Sequence, residues 1–83
     1  MSGTPSEIEA QARELVLRIL GVPAPSQGRA LLRADVPEWD SLKHMEIVFA
    51  LEDRFGIQFD ESEFSTLDTP VAIAAAVRRH LAP

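Results

Sequence analysis

The run Trp39-Asp40-Ser41-Leu42-Lys43-His44-Met45-Glu46-Ile47-Val48-Phe49-Ala50-Leu51-Glu52-Asp53-Arg54-Phe55-Gly56-Ile57 decides how this chain is read. From Ser41 to Phe55 it holds good helix formers and no proline. Ile47, Val48, Leu51 and Phe55 recur at helical spacing, which predicts a helix with these four turned to the core. Gly56 stands where a helix ends in a left-handed residue, and Ile57 follows to pack back. Leu42, Glu46, Phe49 and Asp53 lie three or four apart and share another face. With the core face already filled, that face is expected to be exposed.

Upstream, a first helix is expected from about Ser6 to Leu20, with Ile8, Ala12, Leu15 and Ile19 on its inner face. Ser6 would cap it, Glu7 and Glu9 suit its positive end, and Gly21 ends it. The stretch from Val22 to Asp40 holds Pro23, Pro25, Ser26, Gly28 and Pro37, so it reads as a long loop. Ala30-Leu31-Leu32 is too apolar to stay in solvent and is expected to pin that loop to the core. Downstream, Asp60 with Glu63 three positions on predicts a short third helix with a capping box, and Phe59 and Phe64 occupy the staple positions. Thr69-Pro70 opens a last helix, with Ile73, Val77 and Leu81 on one face. No strand-like alternation of useful length interrupts this pattern. The expected fold class is all-α, a four-helix bundle with a long loop between the first and second helices and a short third helix.

A chain of 83 residues makes one small core and no deep internal pocket. It has no cysteine, which excludes disulfides, thiolate metal sites and a native thiol nucleophile. Any thioester chemistry therefore needs a thiol from a cofactor. The net charge of -5 argues against a nucleic-acid partner. From Glu38 to Glu63 there are eight acidic and two basic residues, and elsewhere five acidic and six basic. The negative field thus belongs to the middle of the chain and favours partners with basic surfaces. No apolar run is long enough to span a membrane, and Met1-Ser2-Gly3-Thr4-Pro5 lacks the pattern of a secretory signal. A cytoplasmic monomer is expected, with residues 1–5 disordered.

Ser41 is the chemically interesting position. A serine at a helix start meets free backbone N–H groups and the positive end of the helix dipole, both of which favour an anion. A phosphodiester on Ser41 would be well placed. Asp40 would either cap the helix or hold a metal ion during modification. On its own, Asp-Ser before an apolar run is an ordinary helix start. His44 reads as a surface residue and His80 as a charge partner at a helix C-terminus, since neither spacing matches a metal motif. No catalytic set can be assembled, because neither histidine has an evident nucleophile and orienting acid. Arg78-Arg79-His80 is too short for a nucleic-acid patch.

Taken together, Asp40-Ser41-Leu42, the acidic helix ending in Phe55-Gly56-Ile57, Phe59-Asp60 and Asp68-Thr69-Pro70 resemble the acyl carrier protein family. The resemblance runs from about Glu7 to Leu81, so residues 1–83 are read as a single carrier domain. It implies a bundle that is not an enzyme. Its serine, here Ser41 beside the motif acid Asp40, would receive 4′-phosphopantetheine from coenzyme A. The terminal thiol of that arm would hold an acyl group as a thioester. The implied partners are a phosphopantetheinyl transferase, an acyl- or aminoacyl-loading ligase or transferase, and downstream biosynthetic enzymes with basic docking surfaces. Mapped residue by residue, Leu42, Glu46, Phe49, Glu52 and Asp53 would face those partners.

The chain also departs from the family's common patterns. Trp39 stands where fatty-acid and polyketide carriers often have glycine, and Lys43 and His44 where fatty-acid carriers favour acidic or small polar residues. Ser62-Glu63-Phe64 and Asp68-Thr69-Pro70 are similar to aminoacyl carriers. The expected function is a specialised stand-alone carrier in fatty-acid, polyketide or related biosynthesis. The alternatives are an aminoacyl or peptidyl carrier loaded by an adenylating ligase, and a non-carrier helical adaptor that uses the acidic helix to bind a basic partner.

Overall fold

A computed structural model describes residues 5–25 and 31–82. Among these the regular structure is all helical. Helix α1 spans Pro5–Leu20, α2 Ser41–Phe55 and α3 Pro70–Leu81. Two 3-10 helices stand between them, η1 over Arg33–Asp35 and η2 over Glu61–Thr66. The short third helix of the expected four is therefore η2, six residues in the tighter 3-10 form. Met1–Thr4, in the segment expected to be disordered, lie outside the described residues, and α1 is described from Pro5. Because the helix begins at Pro5, Ser6 lies inside the first turn and is not its N-cap.

Local sequence sets the helix ends. Asp40 has extended backbone and its side chain accepts the Lys43 N–H, the geometry of an N-cap. Gly56 takes the left-handed conformation at φ 66 and ψ 38. That turns the chain so that the Ile57 N–H reaches the Glu52 carbonyl at 3.1 Å, which closes the helix in a Schellman manner. At η2 the Asp60–Glu63 capping box forms as its spacing predicts. Phe59 is buried and Phe64 is half-buried against the core. Thr69 caps α3 through the Ala72 N–H at 3.0 Å, with Pro70 in the first turn where a missing N–H costs nothing.

Helix α1 packs most extensively on α3 and also on α2. The inaccessible centre is Val16 from α1, Ile47, Val48 and Leu51 from α2, Leu67 from the turn after η2, and Ile73 and Val77 from α3. Burying each such aliphatic side chain contributes about 1.5–3 kcal/mol before entropy is counted. The inner stripe of α1 runs Ile8, Ala12, Val16, Leu20, strictly four apart, and the expected Leu15 and Ile19 are only partly buried beside it. Phe55, expected in the core, is half-buried in the last turn of α2, and Leu81 is 39% exposed in the last turn of α3. Both corrections have one cause. A periodic pattern runs to the end of a helix, whereas the neighbours that bury it do not.

The loop before α2 is anchored at several points. Leu31 is buried as expected, Leu32 is 37% exposed, and Ala30, with Ser26 and Gly28, lies outside the described residues. The Arg33 N–H donates to the Asp68 carbonyl at 2.9 Å, which ties η1 to the segment before α3. Trp39, just ahead of the cap, is 3% exposed.

Candidate functional site at the start of α2

Ser41 is the first residue of α2 and is exposed. Its position follows from the cap. The Asp40 carboxylate takes the Lys43 N–H at 2.9 Å and the Asp40 carbonyl takes the His44 N–H at 2.8 Å. The N–H groups of Ser41 and Leu42 fall in the part of the turn that has no intrahelical acceptor. No acidic residue lies within the first turn of α2 itself. The hydroxyl therefore sits in solvent at the positive end of a helix of 15 residues, a position that fits a phosphodiester. Of the two roles open to Asp40, the structure shows the capping one.

The four residues predicted to share an outer face do so. Leu42 is 72% exposed and Phe49 59%, large values for side chains of this size, and Glu46 and Asp53 are exposed with them. Their charges are not equivalent. Glu46 is held at 3.3 Å by Lys43 across the helix surface, while Asp53 makes no ion pair among the described residues. Glu52 is placed differently from these four. It is half-buried, and its Oε2 accepts the Phe59 N–H at 2.8 Å, so it fastens the chain leaving α2 rather than facing outward freely. It also lines an open groove of about 650 Å³ between α2 and η2, together with Met45, Phe49, Phe59, Asp60 and Phe64.

His44 is the main correction. It is 4% exposed, not a surface residue. The Trp39 Nε1–H donates to its Nδ1 at 2.9 Å, and its Nε2 stands 2.6 Å from the Phe64 carbonyl. Burial lowers its pKa from the ordinary imidazole value, Arg33 pushes the same way, and the Phe64 carbonyl and Asp68 oppose them. The buried tryptophan is the one signal in the sequence that could have revealed this, because an indole N–H in a core needs an acceptor. His80 meets its expected role as a charge partner. Its Nε2 lies 2.8 Å from Glu63 Oε1, and Arg79 lies 3.5 Å from Oε2 of the same carboxylate. The Asp60 N–H that Glu63 accepts holds its carboxyl below the usual range, burial works against this, and His80 and Arg79 reinforce it. Among the described residues no three His, Asp or Glu side chains gather to hold a metal ion, and no helix is long and apolar enough to cross a membrane.

An exposed hydroxyl at a helix start, bordered by exposed apolar and acidic side chains, is the layout of a presenting and docking module rather than of a reaction pocket. Residues 10–77 match the family described as the phosphopantetheine attachment site. The chain is also 32% identical over 73 residues to acyl carrier protein 3 of Ralstonia nicotianae, covering 87% of this chain and 83% of that protein. The chain belongs to the acyl carrier protein family. Its cofactor is 4′-phosphopantetheine, and it is a carrier rather than an enzyme. As such it works with a phosphopantetheinyl transferase and with biosynthetic enzymes.

Proposed function

We propose that the chain is one carrier domain, that Ser41 is the attachment point of its 4′-phosphopantetheine, and that acyl intermediates ride on that arm. The observation that carries this reading is the exposed Ser41 hydroxyl at the capped start of α2, inside the segment that matches the family. The arm supplies the thiol that a chain without cysteine lacks, and a thioester on it holds the acyl group. The chain's own contribution is placement. Asp40 fixes the first turn, the uncapped N–H groups of Ser41 and Leu42 favour the phosphodiester's charge, and the hydroxyl stays in reach of solvent and enzyme. Leu42 and Phe49 offer apolar contact on the same side, while Glu46 and Asp53 attract a basic surface. Glu52 serves the groove wall more than the docking face. The enzymes met there are those of fatty-acid, polyketide or related biosynthesis, and the exchange takes place in the cytoplasm.

The test is an intact mass after incubation with coenzyme A, magnesium and a broad-specificity transferase. One phosphopantetheine should be added per chain, and Ser41→Ala should remain unmodified while giving the same circular dichroism spectrum. A folded wild type left unchanged by several transferases would overturn the carrier reading in favour of a helical adaptor.

A further inference from the structure

Three segments that are separate in sequence meet at one imidazole. Trp39 comes from the loop ahead of α2, His44 from the end of the first turn of α2, and Phe64 from η2. An indole N–H can only donate, so His44 Nδ1 must accept. The proton of the neutral ring therefore sits on Nε2, which donates to the Phe64 carbonyl. The loop side is secured again where Arg33 Nε donates to the Trp39 carbonyl at 3.3 Å. His44 also gives its backbone N–H to Asp40, so the ring, the cap and Ser41 share one helical turn and its continuation.

This inference rests on Ser41 being the attachment point. We propose that Trp39 and neutral His44 are positioning residues for Ser41, which hold the first turn of α2 at a fixed angle to the incoming loop and to η2, so that a transferase meets a preset hydroxyl. Neither side chain touches the reacting atoms. Without the two hydrogen bonds the cap and the serine remain, but the turn is tied to η2 and the loop by apolar packing alone, which has no directional preference. Displacement of a reacting group by about 1 Å is enough to cost up to ~100-fold in rate.

The arrangement needs the ring to be neutral. Protonation would set an Nδ1–H against the indole N–H, two donors facing each other. The charged groups around the ring are Arg33, which disfavours the imidazolium, and Asp68, which favours it. Burial dominates and lowers the pKa, so both bonds persist at neutral pH, and the indole bond to Nδ1 is lost as pH falls into the acid range while Nε2 can still donate to the Phe64 carbonyl.

The test uses the full chain with coenzyme A, magnesium and a transferase, and compares wild type with Trp39→Phe, His44→Ala and His44→Gln. Glutamine offers an oxygen to the indole, an N–H to the Phe64 carbonyl, and no titration. Rates are taken where circular dichroism shows every variant folded. Trp39→Phe and His44→Ala should lose about 10-fold or more in kcat/KM, and His44→Gln should recover most of it. Trp39 is the only tryptophan, so its fluorescence reports the bond directly. On acidification the wild-type emission should change and its rate should fall relative to that of His44→Gln, whose emission stays flat. That ratio cancels the transferase's own pH dependence. Folded Trp39→Phe modified at the wild-type kcat/KM, or His44→Gln no better than His44→Ala, would overturn the proposal. If His44→Ala does not fold, Trp39→Phe and the paired pH profiles decide. A wild type that is never modified sinks the attachment reading itself, an outcome distinct from variants that match a modified wild type.

Discussion

The two sides of α2 share one backbone and one periodicity, yet they answer to different physics. Ile47, Val48 and Leu51 are inaccessible, and they hold α2 to the rest of the bundle. Leu42 and Phe49 are as apolar, but they stand in solvent among Glu46 and Asp53. Leaving a leucine and a phenylalanine exposed forgoes stability that burial would supply. An exposed apolar pair of this kind is what the proposed docking of enzymes beside Ser41 would use. On the proposed docking role, one side serves folding and the other encounter. Substitutions should separate the two cleanly.

The largest effect belongs inside. Leu51→Ala should destabilise the domain by about 2–5 kcal/mol, because it removes a fully buried side chain and leaves a cavity. Much of a stability of about 5–15 kcal/mol would go with it. Thermal or urea melts measure this, and an unchanged midpoint would show that the inner side is not what holds α2. Phe55→Ala sharpens the point. Despite its larger ring it should lose less than Leu51→Ala, since Phe55 is half-buried at the helix end.

Next comes Phe49→Ala. The melt should not move, and dissociation from the transferase should quicken by roughly 5- to 30-fold, equivalent to about 1–2 kcal/mol. A melt that drops while dissociation holds would reverse the assignment of the two sides.

The smallest effect should come from charge. Individual exposed ion pairs contribute about 0–1 kcal/mol and weaken with salt. Reversing Glu46 and Asp53 together should slow association at low salt and flatten its salt dependence, with little change in dissociation. The single changes should differ. Asp53→Lys removes a charge that has no ion pair among the described residues, whereas Glu46→Lys also breaks the 3.3 Å contact with Lys43 and sets two cations side by side. Stopped-flow rates at two ionic strengths distinguish these cases, and a salt dependence that survives the double reversal would place the steering charges elsewhere.

The two histidines of the chain give a second contrast. His80 lies in the last turn of α3, where a cation is favoured, and it pairs with Glu63 at the start of η2. His44 meets the next residue of η2, Phe64, and its Nδ1 must stay unprotonated to accept the Trp39 indole N–H. Position at a helix end foretold the first. Nothing in local spacing foretold the second, because the partners of His44 lie 5 and 20 residues away.

The amino-acid sequence alone determined the three main helices, the caps of α2, η2 and α3, and the chemistry it could not supply, whereas η1 inside the loop went unread. Asp40, Gly56, the Asp60–Glu63 box and Thr69-Pro70 act within a few residues of themselves, so short-range geometry suffices to read them. The absence of cysteine fixed in advance that any thiol must be borrowed. Tertiary structure decided which apolar residues are covered and which polar ones are engaged. Val16 rather than Leu15 enters the core, Phe55 and Leu81 reach past it, Glu52 turns to the Phe59 N–H, and His44 is buried between an indole and a carbonyl. Burial and long-range hydrogen bonds depend on what another segment places opposite a side chain, and that is set by the packing of the whole chain rather than by the spacing within one helix.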